Sequence, residues 1–384
     1  MKIVIDNKIP FIKGAFEPYA DVVYLPGKET TADVVRDADA LITRTRTICN
    51  ESLLSGSKVR AIATATIGFD HIDTGWVEEN GIFWTNAPGC NSASVKQYIS
   101  SVLVNLARIH SLNLEGMTLG VVGVGNVGSK VAVVGRALGM KVLLNDPPRA
   151  RKEGPEGFVS LDEIISGSDI ISVHVPLEKD GPDPTFHLFD AARIARLGNG
   201  RILINSSRGP VVDNVALKEA LKHHALKGAV LDVWEKEPEL DRELLGLLDL
   251  ATPHIAGYSA DGKACGTLMS VRAIAARLGL PLEDWTPSGV PAPTHGSNCG
   301  PEALDFTIDA AGRTEAEVLA EAILHCYDAS IDCEALRSRP EDFEALRGDY
   351  PVRREPSAYT LRLKGAGSGL AGRLEELGFK TIMI

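Results

Sequence analysis

Residues 114–148, LEGMTLGVVGVGNVGSKVAVVGRALGMKVLLNDPP, contain the pattern that decides the fold. The short run Thr118–Val122 is apolar and rich in β-branched residues, which predicts a buried parallel strand. A glycine-rich turn follows, then a helix predicted over residues 127–138 and a second strand over Lys141–Asn145. This order predicts a βαβ unit, the building block of a doubly wound α/β sheet.

The turn between the first strand and the helix has the form G-x-G-x-x-G. In such a turn Gly123 permits the sharp bend, Gly125 lets the backbone approach a pyrophosphate, and Gly128 lets the helix pack on the strand. Asn126 and Val127 complete the turn at the helix N-terminus, where free amides and the helix dipole attract phosphate. The strand before the turn and the helix after it therefore favour a dinucleotide site over a purely structural turn.

An acidic residue, Asp146, ends the second predicted strand, close to the separation of about 20 residues expected for the acid that binds a ribose diol. A carboxylate there accepts hydrogen bonds from the adenosine ribose and repels a 2′-phosphate, which favours NAD. Arg149 and Arg151 follow closely, and a nearby arginine is how an NADP site is built. Because Pro147 and Pro148 redirect the chain before them, we predict NAD.

Length and composition limit the class of protein. A chain of 384 residues predicts two or three domains, and a net charge of −11 argues against nucleic acid or a membrane surface as a partner. Six scattered cysteines without a C-x-x-C pair favour reduced thiols over a zinc site, so no metal is expected. With no apolar run long enough to span a bilayer and no signal peptide at the N-terminus, we expect a cytoplasmic protein.

Short apolar strands alternate with helical stretches on both sides of the central pattern, which predicts parallel sheets covered by helices. The other predicted strands are Lys2–Ile5, Val22–Leu25, Ala40–Thr43, Ala61–Thr64, Ile82–Thr85, Ile170–Val173, Ile202–Asn205, Ala229–Leu231 and a piece at Leu250 and Ala251. A long helix is predicted over Ser92–His110. We therefore predict a Rossmann-type NAD domain, residues 93–257, inserted in a flavodoxin-like substrate (lid) domain of residues 1–92 and 258–284.

A cluster of four prolines between residues 281 and 293 predicts a linker. Beyond it, Leu304–Ile308, Glu315–Tyr327 and Tyr359–Leu363 carry mixed strand and helix signals, which predicts a C-terminal α+β domain over residues 285–384. This tail has few apolar residues for a core of its own. We expect it to complete its burial against another surface, and a second copy of the chain is the simplest candidate.

Three polar residues follow predicted strands in the order arginine, glutamate, histidine: Arg208 in INSSRGPVVD, Glu237 in LDVWEKEP and His254 in ATPHIAGYS. Moving a hydride out of a secondary alcohol requires a base against the hydroxyl, and imidazole has a suitable reference pKa. These phrases, the dinucleotide turn and the HVPL phrase at residues 174–177 resemble the D-isomer-specific 2-hydroxy acid dehydrogenases. The resemblance covers residues 1 to about 280.

The resemblance implies that Arg208, Glu237 and His254 form the catalytic set. In that set His254 would be the base, and Glu237 would stabilise its imidazolium form and fix its tautomer. Arg208 would hold the substrate carboxylate and polarise the developing carbonyl. Glu235 lies in the same charged run and is a rival for the role of Glu237.

A substrate pocket is predicted in the first domain. Arg44 and Arg46, in the phrase RTRT after one strand, and Thr66, after the next, make a plausible anion site. The resemblance adds Thr45 and Tyr258 as substrate contacts. For NAD it implies contacts at Asp146, Val175, Ser206, Ser207, Arg208, Asp232 and Gly257.

Within the family, a closer resemblance is to a branch that acts on a small phosphorylated 2-hydroxy acid. It is carried by the added C-terminal domain and by the phrases MKIVIDNKIPF, RTRT, ATIGFDHID, NAPGCN, NDPPRA and HIAGYS. That branch implies a homodimer joined through the C-terminal domain. Two alternatives stay open. One is a 3-phosphoglycerate dehydrogenase, which would share every catalytic residue, and the other is a non-enzymatic NAD-sensing co-repressor on the same frame.

Overall fold

The computed structural model describes all residues from Met1 to Ile384. Fourteen strands and fifteen α-helices are present, and none of the helices combines the length and the apolar character needed to cross a membrane. The chain divides into two compact units, one of residues 1–91 with 259–291 and the other of residues 92–258 with 292–384.

Strands and helices alternate along most of the chain. The strands are β1 (Lys2–Asp6), β2 (Asp21–Leu25), β3 (Ala40–Thr43), β4 (Ala61–Thr64), β5 (Phe83–Thr85), β6 (Thr118–Val122), β7 (Lys141–Asn145), β8 (Ile170–Val173), β9 (Ile202–Asn205), β10 (Gly228–Leu231), β11 (Leu250–Ala251), β12 (Asp305–Asp309), β13 (Thr360–Lys364) and β14 (Lys380–Met383). The helices are α1 (Ala32–Val35), α2 (Glu51–Leu54), α3 (Thr74–Glu79), α4 (Ser92–Ile109), α5 (Gly128–Ala137), α6 (Pro147–Glu153), α7 (Leu161–Gly167), α8 (Ala191–Leu197), α9 (Asn214–Lys222), α10 (Arg242–Leu247), α11 (Ala260–Leu278), α12 (Glu315–Cys326), α13 (Ala329–Ser338), α14 (Phe343–Gly348) and α15 (Ser368–Leu377).

The first unit contains a five-stranded parallel sheet in the order β2-β1-β3-β4-β5. This is the flavodoxin-like order, whose ligands bind outside the carboxyl ends of the strands where the strand order reverses. The central strands are buried on both faces, and Val271 and Ile274 of α11 pack with Ile5 and Ile42 on one face. The residues after β3 and β4 therefore lie at the edge where a ligand is expected.

The second unit contains a six-stranded parallel sheet in the order β11-β10-β9-β8-β6-β7. The order reverses between β6 and β8, which makes the turn after β6 a ligand position. In the Rossmann order 3-2-1-4-5-6, β6 and β7 correspond to strands 1 and 2, and a further strand, strand 3, pairs with strand 2. Here residues 154–157 read Gly-Pro-Glu-Gly, which cannot continue a strand ladder, and the chain passes instead to α7.

Polar N-caps begin the helices that follow the sheet. The Asp213 side chain accepts hydrogen bonds from the first-turn amides of α9, and Ser160 forms a capping box with Glu163 on α7. Asp146 caps α6 directly after β7. These caps satisfy amides that have no partner inside the helix, so the chain leaves each strand in a fixed direction.

The C-terminal residues form a third parallel sheet in the order β12-β13-β14 with helices α12 to α15. Helix α15 packs on α5, where Arg373 Nε donates to the Ala137 carbonyl at 2.6 Å, and α13 packs on β11 and α4. One hydrophobic core runs through both parts, from Val131 and Val230 to Leu336 and Leu374. The tail therefore completes its burial against the six-stranded sheet and the helices of its own chain. The tail was expected to complete its burial against another surface, and α4, α5 and β11 of the same chain supply that surface. A homodimer stays a prediction.

Candidate active site

The glycine turn after β6 is closely packed at two of its glycines and open at the third. A Cβ atom on Gly123, which has φ +85°, would lie 2.6 Å from the His174 carbonyl oxygen, and one on Gly128 would lie 1.8 Å from the Gly123 carbonyl oxygen. A Cβ on Gly125 would meet nothing within 4 Å. The first and last glycines are therefore required by the chain itself, whereas Gly125 borders space that a pyrophosphate fits. Asn126 and Val127 lead directly into α5.

A cavity of about 620 Å³ opens beside this turn. Its volume lies in the range of small-molecule and cofactor sites, and it is enclosed by the ends of β6, β7 and β8. Four residues predicted to contact NAD line it: Gly123, Gly125, Asp146 and Val175.

Asp146 has acceptor capacity left after its contacts within the chain. Its Oδ2 accepts from the Val124 amide at 2.8 Å and its Oδ1 from the Arg149 amide at 3.0 Å. Each carboxylate oxygen has two lone pairs, so ribose hydroxyls can still be accepted.

The two neighbouring arginines are both engaged by carboxylates. Arg149 makes two hydrogen bonds to Glu153, at 2.9 and 2.7 Å, and Arg151 forms an ion pair with Asp183. Neither guanidinium is held ready for a 2′-phosphate, which supports NAD over NADP.

The loop after β9 carries Ser206, Ser207 and Arg208. The Ser207 hydroxyl donates to Asn205 Oδ1 at 2.8 Å, whereas Ser206 Oγ is buried and has no hydrogen-bond partner in the chain. A buried hydroxyl without a partner is costly unless a ligand completes it, which suits the predicted NAD contact. Ser206 Oγ is therefore a buried polar atom that a cofactor hydroxyl or amide group can satisfy.

Arg208 projects from the same loop into solvent. Its Nη1 donates to the Ser207 carbonyl at 2.8 Å, and it forms no ion pair with any carboxylate of the chain. The loop is pressed against the segment that leads to Glu237, since a Cβ on Gly209 would lie 1.9 Å from the Trp234 carbonyl oxygen. The guanidinium is thus free to bind an anion close to that segment.

His254 and Glu237 form a hydrogen-bonded pair. His254 Nδ1 lies 2.7 Å from Glu237 Oε2, and Glu237 Oε1 accepts from the Trp234 amide at 2.8 Å. The carboxylate holds the proton on Nδ1, which leaves Nε2 of the imidazole to accept a proton from a bound molecule. The His254 backbone has φ +56°, a left-handed conformation that a non-glycine residue keeps only where its surroundings impose it.

The rival carboxylate, Glu235, is bound elsewhere. Its Oε1 lies 2.6 Å from His187 Nε2, and its Oε2 accepts from the Asn214 amide at 3.0 Å. Glu235 therefore joins the loop after β10 to the start of α9, and the partner of His254 is Glu237.

Asp232 lies beneath the loop that carries His254. It is 1% exposed, and its carboxylate accepts from Thr252 Oγ1 at 2.6 Å, from the Ile255 amide at 2.8 Å and from the Ala256 amide at 2.9 Å. The sequence pointed to Asp232 only as a cofactor contact. Its position directly after β10 indicated a residue near the ligand. Nothing in the sequence indicated that its carboxylate would hold the loop of His254.

His174, at the end of β8, cannot serve as a base. Burial lowers its pKa to about 3, and its Nε2 lies 2.8 Å from Ser172 Oγ. The imidazole is therefore neutral throughout the physiological pH range.

The remaining predicted contacts of the second unit lie just after His254. Tyr258 follows Gly257, and its ring meets Tyr350 edge-on with the centroids 6.1 Å apart. The Arg347 guanidinium lies 5.5 Å from the centroid of the same ring. Both neighbours belong to the C-terminal segment and were missed by the sequence reasoning, because no local pattern marks them.

In the first unit, the residues predicted to contact substrate follow β3 and β4. Thr45 and Arg46 border a cavity of about 640 Å³ that Lys28 also lines. Arg44 Nη1 donates to the Lys8 carbonyl at 3.2 Å, and Thr66 Oγ1 donates to the Gly68 carbonyl at 2.8 Å. The structure thus brings Thr45 and Arg46 together at one cavity, while Arg44 and Thr66 lie outside its lining.

Comparison with known proteins gives a consistent result. Residues 92–256 match the family described as D-isomer specific 2-hydroxyacid dehydrogenase, NAD binding domain, and residues 303–378 match a domain of unknown function, DUF3410. The chain is 51% identical to an erythronate-4-phosphate dehydrogenase of Bacteroides fragilis, over 94% of this chain and 99% of that protein. It is 41% identical to the enzyme of the same name from Chromohalobacter salexigens, over 99% of each chain.

Among solved structures, the chain resembles a D-lactate dehydrogenase from Aquifex aeolicus complexed with NAD and lactic acid. The sequence identity is 29% and the TM-score 0.57, and the match covers 74% of this chain and 97% of that one. About a quarter of the present chain thus has no counterpart in that structure.

Proposed function

Because the chain belongs to the erythronate-4-phosphate dehydrogenase family of D-isomer specific 2-hydroxyacid dehydrogenases, we propose that it oxidises 4-phospho-D-erythronate. The 2-hydroxyl group becomes a carbonyl, which gives 2-oxo-3-hydroxy-4-phosphobutanoate for pyridoxal 5′-phosphate (vitamin B6) biosynthesis. The observation that carries this proposal is the His254–Glu237 pair, at 2.7 Å, in the same unit as the open glycine turn.

The reaction divides between the cofactor and the side chains. The cofactor chemistry, when NAD is bound at the glycine turn, would be to supply an acceptor for the hydride from C2 of the substrate. His254 Nε2 takes the hydroxyl proton, because Nδ1 is already held by Glu237. The carboxylate of Glu237 stabilises the imidazolium that results, and Arg208 binds the substrate carboxylate and polarises the oxygen that becomes the carbonyl. The products are the 2-oxo acid, reduced cofactor and one proton.

The cofactor contacts are assigned to the glycine turn and to the strand ends of the second unit. The support is the fit of the residues present, namely the open space at Gly125, the acceptor capacity of Asp146 and the buried hydroxyl of Ser206. Val175, Ser207, Arg208, Asp232 and Gly257 complete the proposed set.

Substrate recognition is assigned in part to the first unit. Its carboxyl-end loops supply Arg44, Thr45, Arg46 and Thr66, and Tyr258 is the proposed contact from the second unit. The Arg46 guanidinium and the neighbouring Thr45, which border one cavity, suit the phosphate of the substrate, since arginine binds phosphate through paired N–H donors.

The assembly is proposed to be a homodimer joined through the C-terminal domain, residues 285–384. A groove of about 1220 Å³ supports this, because it runs between α4 and α12 and exposes apolar atoms of Leu112, Ala320 and Leu324 among charged neighbours. The three sheets support a division of the chain into substrate, NAD and C-terminal domains. Six free cysteines suit a reducing compartment, so the cytoplasm is the proposed location.

The proposed reaction is tested with purified protein, NAD and either 4-phosphoerythronate or 3-phosphoglycerate. Oxidation of a 2-hydroxy acid by NAD is uphill, so a carbonyl trap is added while reduced nicotinamide is followed by absorbance. Preferential turnover of 4-phosphoerythronate supports the proposal. Preference for 3-phosphoglycerate keeps the chemistry and overturns the substrate, and NAD binding without turnover of either acid favours the sensor alternative.

A further inference from the structure

A side chain of the C-terminal segment reaches the loop that carries His254. Arg353 lies between α14 and β13 and is 1% exposed. Its Nη2 donates to the Ala256 carbonyl at 2.6 Å. Ala256 is two residues beyond His254, so the contact acts on the backbone of the proposed catalytic loop.

The orientation of Arg353 is fixed by an enclosed polar cluster in the C-terminal segment. Its guanidinium lies 4.4 Å from the ring centroid of Tyr327 and 5.7 Å from that of Tyr350. Both tyrosine hydroxyls donate to Asp332 Oδ2 at 2.7 Å, and His295 Nε2 lies 2.8 Å from Asp332 Oδ1. Because each member is held by another, the guanidinium has little freedom to turn away from Ala256.

The Ala256 peptide groups are thereby held from two sides. Asp232 accepts from the Ala256 amide, and Arg353 donates to the Ala256 carbonyl. The strained left-handed backbone of His254 stands directly before this doubly held segment. Conformations of this kind persist where the surrounding contacts over-determine them.

The hydrogen-bond donors of Arg353 are only partly satisfied, although the side chain is buried. Its Nε and Nη1 atoms are buried without a hydrogen-bond partner, and no carboxylate forms an ion pair with it. A buried cation with unpaired donors is costly compared with an apolar residue of similar size. A contribution to stability alone therefore explains the residue poorly, whereas its bond to the His254 loop gives it a specific task.

We infer that Arg353 is a positioning residue, which holds the 252–258 loop so that His254 Nε2 is correctly placed for proton transfer. The inference rests on the proposed function for its catalytic consequence. It makes the C-terminal segment part of the catalytic apparatus of its own chain, independently of any role in dimerisation.

The test compares Arg353→Met with Arg337→Met in the full-length protein. Arg337, on α13, is the matched control, because its guanidinium also donates to a backbone carbonyl of the NAD-binding part, that of Leu248, but away from His254. Arg353→Met should lower kcat by roughly 10- to 100-fold, the usual cost of a displaced catalytic group. The Kd for NAD should stay unchanged, and Arg337→Met should keep the wild-type kcat. Equal losses of kcat in both variants would overturn the inference.

Amide hydrogen exchange of the peptide that covers residues 250–260 gives a second readout, which does not depend on turnover. Arg353→Met should lose protection there while Arg337→Met keeps it, and unchanged protection in Arg353→Met would refute the positioning role. Wild-type protein that fails to oxidise 4-phosphoerythronate would refute the proposed function and leave this readout decisive. If Arg353→Met does not fold, Arg353→Lys retains a cation without the planar fork and should show a partial loss of both kcat and protection.

Discussion

At the scale of single residues, three histidines of the second unit differ in their hydrogen-bond partners. His254 and His187 are each hydrogen bonded to a glutamate, at 2.7 and 2.6 Å, and both side chains are about equally exposed. His174 is hydrogen bonded to a serine and stays neutral. Only His254 is the histidine of the proposed catalytic set, and its Glu237 partner leaves Nε2 able to accept a proton, so proton transfer is expected from this histidine.

His254→Asn should lower kcat by about 10²- to 10⁴-fold, the range that a general base contributes, while NAD binding stays nearly intact. The loss follows because asparagine fills the space but cannot take the hydroxyl proton. Single-turnover formation of reduced nicotinamide and calorimetric titration with NAD measure the two quantities. His187→Asn is the control and should keep its kcat. Weakened NAD binding in His254→Asn would make His254 a structural residue.

Separate glutamine substitutions of Glu237 and Glu235 test which carboxylate supports the proposed base, His254. Glu237→Gln should reduce kcat by roughly two orders of magnitude, because an amide cannot stabilise the imidazolium as a carboxylate does. Glu235→Gln removes a charge from the same loop but should affect mainly thermal stability, since Glu235 joins α9 to that loop. The reverse order of effects on kcat would show that the pairing changes during turnover.

His174, whose Nδ1 atom is buried without a hydrogen-bond partner, makes stability depend on pH in a definite direction. Its pKa in the folded protein is lowered to about 3, so the unfolded chain binds the extra proton first as the pH falls below about 6.5. Stability is therefore complete above the unfolded pKa and is lost as the pH falls toward the folded one. In urea unfolding, the contribution of this group to the free energy of unfolding should be about 2 kcal/mol smaller at pH 5 than at pH 7. His174→Gln should have a correspondingly smaller pH dependence, and an identical dependence would contradict the assignment.

At the scale of elements, the sequence was most informative where a buried strand is a continuous apolar run. Residues 40–43, 61–64, 118–122, 141–145, 170–173 and 202–205 were predicted as strands with the bounds that the structure has. The exposed edge strand β14 was not predicted, because its four residues, Lys-Thr-Ile-Met, do not alternate between apolar and polar. The His254–Glu237 pairing followed from family phrases. The Asp332 cluster behind the loop could not be predicted, because its residues are far apart in sequence and carry no periodic pattern.

Alanine substitutions in the glycine turn can distinguish a glycine needed for cofactor binding from a glycine needed for packing within the chain. Gly125→Ala should leave the melting temperature unchanged, because the added Cβ meets nothing within 4 Å, but it should weaken NAD binding by at least about tenfold by occupying the space of the pyrophosphate. Gly128→Ala forces a contact with the Gly123 carbonyl and should lower both stability and affinity. Thermal unfolding without ligand and titration with NAD distinguish the two. Unchanged affinity in Gly125→Ala would place the pyrophosphate elsewhere.

At the scale of the whole molecule, the C-terminal segment has two surfaces with different tasks. One is buried against α4, α5 and β11 of the same chain and carries Arg353 to the His254 loop. The other, along α12, borders the groove with Leu112, Ala320 and Leu324. The first surface is already buried within one chain. The proposed dimer therefore has to form through the second surface, along α12.

Sedimentation equilibrium should therefore give a mass of about twice 41.0 kDa for the wild-type protein, and Ala320→Arg should yield monomers. The substitution places a long cation in the groove on α12 and should leave the fold intact, because Ala320 is only partly buried there. Ala345→Arg, on the exposed side of α14 and outside the groove, is the control and should stay dimeric. If Ala320→Arg remains a dimer, the groove is not the interface. If the wild-type protein is itself a monomer, the contact from Arg353 to the His254 loop, which lies within one chain, would be the remaining reason for the C-terminal segment.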